Sequence, residues 1–358
     1  MSKMSLRFYL SLLVVYMLPG VLYAQHGDSY YTVGATIDGL KYNLNEQTHT
    51  AMVASHNSWE GELAIPEEIV YEGESYVTEA IVWNAFSNCT TLTRVKIPKT
   101  ILGIRSYWYQ PETVRNPFSG CINLEYIEVD EENSNLSSID GALLSKDGTN
   151  LYSYPVGSRA ATYVIPDDVT WIAGYCFSQS PYMQTVEMPN SVTTLGSSAF
   201  SGCKTLTHVR ISESLKVIDS YTFESCENLH FLDIPESVGI LAEDVFRYTP
   251  LEVIVIRGTF SGEGLAAGAF SFLSSSATLY VQSSEIEEFK KVFSGKVLPL
   301  EDYTSNIATA IQQDITADDA FFDIMGRRVV QGNKMTGYQG NKLPKGIYIQ
   351  NGRKFVVK

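Results

Sequence analysis

Four of the five cysteines share one local context: FSNC at 86–89, FSGC at 118–121, FSGC at 200–203 and FESC at 223–226. Each follows a phenylalanine by three residues. A thiol in such a setting can close a disulfide, ligate a metal or pack as a small buried group. Structural zinc takes cysteine pairs two to four residues apart. Cys89 and Cys121, like Cys203 and Cys226, stand much further apart than that. Disulfides stay open for these two pairs, because each pair falls in neighbouring units whose Cα atoms would stack about 4.8 Å apart. Against them, stacked side chains run parallel, Ser180 and Thr249 stand at the same position, and Cys176 makes the count odd. The favoured reading is a buried thiol that behaves as a small hydrophobe.

Other chemistry is sparse. The histidines are His26, His49, His56, His208 and His230, and no GxSxG, HExxH, GxxxxGK[ST] or GxGxxG motif accompanies them. Adjacent acids such as Glu67-Glu68, Asp167-Asp168 and Asp318-Asp319 read as solvated turns. General acid–base work needs carboxyls that converge from different elements. The acidic run DEENSN at 130–135 does not match an EF-hand loop and reads as a solvated loop. No enzyme activity, cofactor or metal is expected.

What positions these residues is a repeat. Phe177, Phe200, Phe223, Phe246 and Phe270 recur with a period of about 23 residues, and the two intervals before them, Phe86 to Phe118 and Phe118 to Phe177, are longer. Within a unit, Leu206, Val209 and Ile211 follow an L-x-x-L-x-L pattern, repeated by Leu92, Val95, Ile97, by Leu124, Ile127, Val129 and by Leu229, Leu232, Ile234. Proline often ends the strand (Pro98, Pro166, Pro189, Pro235). A second apolar pair follows, such as Leu215 and Ile218. Each coil is apolar on several sides and must stack to bury them. The expected fold is mainly β: a leucine-rich repeat solenoid of about seven coils of roughly 23 residues, with an N-terminal β cap and a small C-terminal β module.

The chain divides accordingly. Residues 1–24 read as a secretory signal peptide: Lys3 and Arg7 precede a short apolar run that ends at Ala24. Residues 25–80 form the cap and 81–299 the solenoid, with a hairpin inserted near 136–160 around Lys146-Asp147-Gly148-Thr149. Residues 300–320 are a polar linker and 321–358 the tail. No later stretch is apolar enough to span a membrane. The total charge is -14. The segment 324–358 carries eight bases and no acids, so the body from 25 to 323 holds 16 bases against 40 acids. That body repels nucleic acid and anionic membrane surfaces.

The outward strand positions build a candidate binding ladder: Arg94 and Lys96, Tyr126 and Glu128, Thr185 and Glu187, His208 and Arg210, Phe231 and Asp233, Val253 and Val255. Mixed charge and aromatic character suits a protein or glycan partner. It also suits a plain soluble sheet face. The loop IRSYWYQPETVRNP at 104–117 adds Tyr107, Trp108 and Tyr109, which either stack on a partner or fold back over the solenoid. A monomer is expected.

Two resemblances follow. The FSGCxxLxxVxIPxSVxxI pattern at 200–218 and 223–241, with the segment DGALLSKDGTNLYSYP, resembles the BspA-like leucine-rich repeat proteins of bacterial surfaces over about 81–282. This implies an exported, extracellular, noncatalytic solenoid and suggests adhesion to host matrix, host cells or other bacteria. An envelope spacer and a glycan-binding accessory protein are the alternatives. The tail FFDIMGRRV…LPKGIYIQNGRKFVVK resembles the carboxy-terminal sorting regions of Bacteroidetes exported proteins read by type IX secretion. The matching residues are Asp323, Gly326, Arg327, Leu343, Pro344, Gly346, Tyr348, Gly352, Lys354, Val357 and Lys358.

Overall fold

The computed structural model describes residues 33–54, 58–105, 115–260 and 264–303 in full, and the strands at 321–323, 328–331, 334–335, 346–350 and 353–357 by their backbone pairing. The Tyr107–Tyr109 triplet and residues 1–32 lie outside the described residues.

Three tight hairpins organise the first half. Asp38-Gly39, Glu72-Gly73 and Asp140-Gly141 each place two successive residues at positive φ. That is the turn whose twist matches antiparallel strands. The first two hairpins help build a six-stranded sheet from Val33–Ile37, Leu40–Asn45, Thr50–Val53, Glu68–Tyr71, Glu74–Val82 and Gly103–Arg105. The third joins Leu136–Ile139 to Ala142–Ser145. Ala142–Ser145 then pairs with Asn150–Ser153 through the Lys146–Thr149 turn. In that turn Asp147 Oδ1 accepts from Ser145 Oγ at 2.6 Å, Thr149 N at 3.0 Å and Thr149 Oγ1 at 2.8 Å. These bonds hold the Asp147 carboxyl below its ordinary value, the Ser145 hydroxyl most of all.

Between one coil and the next the pairing is parallel, as stacked coils require. Gly61–Ala64, Leu92–Ile97 and Tyr126–Val129 form one parallel sheet. Thr162–Val164, Thr185–Glu187 and His208–Arg210 form a second. Phe231–Ile234, Val253–Ile256, Thr278–Val281 and Lys296–Pro299 form a third. The second apolar pair of each coil makes its own short ladders, as at Trp171–Ile172 with Thr194–Leu195 and Val217–Ile218 with Ile240–Leu241.

The core between these ladders is a column of phenylalanine rings. Neighbouring rings stack at 5.4 Å (Phe86–Phe118), 5.0 Å (Phe177–Phe200), 5.5 Å (Phe200–Phe223), 6.3 Å (Phe223–Phe246) and 5.8 Å (Phe246–Phe270). The hairpin interrupts the repeat between Phe118 and Phe177, and Tyr154 lies against Phe177 at 5.5 Å there. Two buried clusters result, one for residues 35–143 and one for residues 142–293. Asn116 joins them. Its backbone N–H donates to Gly174 O at 3.0 Å, and its amide donates to Tyr175 O at 3.2 Å and Cys176 O at 3.3 Å. Beside it the Arg115 guanidinium lies 5.3 Å from both the Trp83 and the Tyr175 ring centroids.

The cysteines are more than small hydrophobes. All five are free and buried. The Cys121 thiol donates to Phe86 O at 3.0 Å, Cys203 to Phe177 O at 3.0 Å and Cys226 to Phe200 O at 3.2 Å. Each of these three carbonyls also accepts a backbone N–H from its own coil: Cys89 N at Phe86, Ser180 N at Phe177 and Cys203 N at Phe200. At Phe86 and Phe200 one lone pair closes the turn and the other ties on the next coil. Thr249 Oγ1 donates to Phe223 O across the same coil-to-coil step. Ser180 Oγ donates to Phe177 O of its own coil at 2.8 Å. Cys, Ser and Thr recur here because the position needs a compact side chain with a donor. Cys176 stands one residue before Phe177, where other coils carry Ala85, Ala199 and Val245.

Burial pushes the Cys121 and Cys203 thiols up to about 12. It also raises Cys89, Cys176 and Cys226. The unfolded chain releases these protons near the ordinary value of 9.0, and the folded chain holds them to higher pH. Their contribution to stability is therefore complete below about pH 9 and declines as pH rises towards 12.

Two outcomes are expected. Cys203→Ala lowers unfolding free energy by about 1–3 kcal/mol, through a lost hydrogen bond and lost packing. Cys203→Ser, which keeps a donor, loses less, and equal losses in urea titration would show that the donor is immaterial. In addition, the native chain takes up no thiol reagent at pH 8, and all five thiols react once denaturant unfolds it. Fast labelling of the folded protein would contradict the burial.

Candidate binding face

The strand alternation that buries Val95, Ile97, Ile127 and Val129 turns Arg94, Lys96, Tyr126 and Glu128 outward, and all four are exposed. Register pairs Glu62 with Arg94 and Arg94 with Tyr126 in one column, and Ala64 with Lys96 and Lys96 with Glu128 in the next. Arg94 Nε lies 3.7 Å from Glu62 Oε1, and its guanidinium sits 5.3 Å from the Tyr126 ring centroid. Lys96 Nζ lies 3.8 Å from Glu128 Oε2. Beside them is an open depression of about 250 Å³ whose lining includes Ile65, Glu67, Lys96, Pro98, Glu128 and Asp130. The first sheet thus presents a stacked cation, an aromatic ring and alternating charges at fixed register.

The face closes progressively towards the C-terminus. In the second sheet Arg210 is exposed and donates to Met188 O at 3.2 Å, while Glu187 and His208 are half-buried. Register sets Glu187 beside Arg210 and Thr185 beside His208. Thr185, expected on the outer ladder, is buried at 5% exposure. His208 Nδ1 lies 3.1 Å from Thr207 Oγ1. In the third sheet Phe231 is half-buried and Val255 is buried at 1% exposure. Asp233 is ion-paired to Arg257 Nη2 rather than presented to solvent. Burial raises the Asp233 carboxyl against the opposing pull of Arg257. The outward column here runs Asp233, Val255, Tyr280 and Leu298.

Two features of this region escape the repeat pattern. A helix at Ile286–Val292 packs Phe289 inward, with Lys290 bonded to Glu287 at 2.8 Å and Lys291 to Glu288 at 2.6 Å. Its signal is present as Ile286, Phe289 and Phe293 at helical spacing with acids before bases. Residues 300–303, expected to open a polar linker, form a helical turn that buries Tyr303 against Tyr280, with ring centroids 5.0 Å apart. A third feature lies on the turn edge. Arg247 is 4.9 Å from the ring centroids of both Tyr248 and Phe272, and these two rings stand at the coil position where others place Gly120 and Gly202. The backbone takes positive φ there, +75° at Gly120 and +57° at Tyr248.

An asparagine ties down the acidic loop at 130–135. Asn133, fully buried, donates to Pro98 O and Ile101 O at 2.9 Å each. It accepts from Asn135 N at 2.9 Å and Leu136 N at 2.8 Å. Among the described residues no group of three or more His, Cys, Asp or Glu could hold a metal ion. Nor is any helix among them long and apolar enough to cross a membrane.

A profile described as the BspA type leucine rich repeat region matches six copies, over residues 74–159 and 149–274. The chain belongs to the BspA-type leucine-rich repeat family. Among solved structures, the pneumococcal vaccine antigen PcpA aligns with a TM-score of 0.51 at 14% identity, over 76% of this chain and 99% of that one. A leucine rich cell surface protein from Faecalibacterium prausnitzii A2-165 aligns with a TM-score of 0.43 at 18% identity, over 75% and 99%. A leucine-rich repeat protein from Bacteroides ovatus ATCC 8483 gives 0.40 at 21%, over 74% and 82%. At such identities the PcpA match speaks to the fold. No curated protein sequence matches this chain. In this BspA-type chain the coil strands carry the exposed ladder, and the turns carry the ring column.

Asn133 is expected to be costly to replace. Asn133→Ala lowers unfolding free energy by about 2–4 kcal/mol, because four buried hydrogen bonds go together. Asn133→Asp does nearly the same damage, since a carboxylate cannot donate to Pro98 and Ile101. Unaltered urea midpoints for both variants would contradict the assignment.

Proposed function

We propose that this chain is an exported, noncatalytic repeat protein of the bacterial surface that binds a macromolecular partner in adhesion. The partner is a host matrix or cell-surface component or another bacterium. The observation that carries the reading is the exposed first-sheet ladder, in which Arg94, Tyr126, Lys96 and Glu128 stand in register. Arginine and tyrosine held against each other on a rigid sheet are the side chains that anchor interfaces at low ordering cost. The surface-protein and antigen names of the aligned structures, and the family itself, support the same reading. We read residues 1–24 as its export signal. The basic tail, whose strands at 321–323, 328–331, 334–335, 346–350 and 353–357 pair in a sheet of their own, we read as the sorting or attachment module.

The test is a solid-phase screen of the chain from residue 25 onward against arrayed matrix proteins and glycans at physiological salt. A saturable hit is expected, and Arg94→Glu with Lys96→Glu weakens it at least about tenfold while the melting profile holds. A folded chain that binds nothing on the array would reject adhesion and leave the solenoid as an envelope spacer. Deleting 321–358 in the native bacterium is expected to abolish surface display, scored by antibody on intact cells.

A further inference from the structure

We propose that the outward face of the last coils is a docking seat for an aromatic-bearing protein segment, filled here by the chain's own residues 300–303. The proposal deepens the reading of the strand face as a binding surface and rests on it. Two observations meet at this place. The outward columns turn apolar: Phe231 and Val253 share one and Val255 and Tyr280 the other, where earlier coils put Arg94, Lys96, Glu128 and Arg210. The seat is also covered from within the chain. Tyr303 is 9% exposed with its ring 5.0 Å from Tyr280, and Val255 in the same column is 1% exposed although it points away from the interior cluster.

The fit of that cover is incomplete. Asp233 Oδ1 and the Tyr303 hydroxyl are both buried and both lack a hydrogen-bond partner. They are near enough for the Asp233 charge to act on the phenol. A buried polar atom without a partner costs about 1–3 kcal/mol. The turn is tied by Ser283 Oγ donating to Glu301 Oε2 at 3.0 Å, and the two unpaired atoms beneath it set a cost against that tie. The seat therefore asks for an occupant that keeps the ring on Tyr280 and brings a donor to Asp233 Oδ1. A protein segment with a tryptophan, or with an amide beside an aromatic residue, has that chemistry. A neutral sugar offers hydroxyl donors but leaves the apolar wall of Val253 and Val255 poorly filled.

The experiment uses the full chain and two fluorescent peptides, residues 297–306 and the same peptide with Tyr303→Trp. The Tyr303→Ala chain is expected to bind the first peptide at least tenfold more tightly than the wild-type chain, whose seat is filled. The Trp peptide is expected to bind it about fivefold more tightly still, one hydrogen bond's worth. Adding Tyr280→Ala removes binding of both. Equal binding to the wild-type and Tyr303→Ala chains, or none to a Tyr303→Ala chain that melts as wild type does, would overturn the seat. Native-state hydrogen exchange on the wild-type chain covers the case in which the variant fails to fold. Amides of residues 300–303 are expected to exchange by local opening, well before those of Val253–Ile256. Exchange of both only on global unfolding would overturn a displaceable cover. Capture of matrix proteins through Arg94 and Lys96 is read separately, so failure of the seat and failure of the adhesion reading are distinct results.

Discussion

The carbonyl of the coil phenylalanine is the constraint on which the rest depends. At Phe86 and Phe200 it accepts two hydrogen bonds, from a backbone N–H of its own coil and from the thiol of the next, and at Phe177 the Ser180 hydroxyl adds a third. The ring attached to the same residue stacks on its neighbour, at 5.0 Å from Phe177 to Phe200 and 5.5 Å from Phe200 to Phe223. Spacing along the solenoid is thereby set twice, by a backbone acceptor and by a ring. Neither works without the other: an unfilled carbonyl in this core carries a desolvation cost, and a shifted ring opens a cavity. Cysteine suits the position because sulfur fills more apolar volume than a hydroxyl and still donates. The same burial that makes the thiol structural also denies it thiolate character.

Once the spacing is set, the strand face follows without further choice. Parallel register puts Arg94 beside Tyr126 and Lys96 beside Glu128, and period-two alternation keeps their neighbours inside. The ladder is therefore rigid in the way a binding surface benefits from, with little ordering left to do on contact. Its surface ion pairs are each worth little to stability. Their value lies in holding long side chains in fixed places on an otherwise acidic body.

The ends and the interruption show what a repeat cannot supply by itself. Between Phe118 and Phe177 the hairpin displaces the ring column, Asn116 and Arg115 carry the contact across, and Tyr154 lies against Phe177 on the far side. At the far end the Ile286–Val292 helix packs Phe289 onto Phe270, with ring centroids 5.8 Å apart, and Tyr303 closes over the outer face. Arg115 and Asn116 hold the coil places of Gly174 and Tyr175 with different side chains, while Tyr154, Phe289 and Tyr303 match no repeat position, so the periodic pattern passes over these devices.

The sequence by itself determined the coil. A phenylalanine returning with a period of about 23 residues, the L-x-x-L-x-L spacing and the strand-ending prolines dictate stacked strands, and Lys146-Asp147-Gly148-Thr149 dictates a hairpin. Alternation also named the outward positions, Arg94 to Asp233, since period two is a property of the backbone. Tertiary structure alone decided which of those positions reach solvent. Thr185, Asp233 and Val255 follow the alternation that exposes Arg94 and Lys96, yet Thr185 and Val255 are buried and Asp233 is half-buried in its ion pair with Arg257. It alone also showed that Asn133 holds the acidic loop and that the thiols bond to carbonyls one coil away. Those partners lie a whole coil off in the chain, and contacts of that range depend on how coils stack, a quantity that local pattern does not encode.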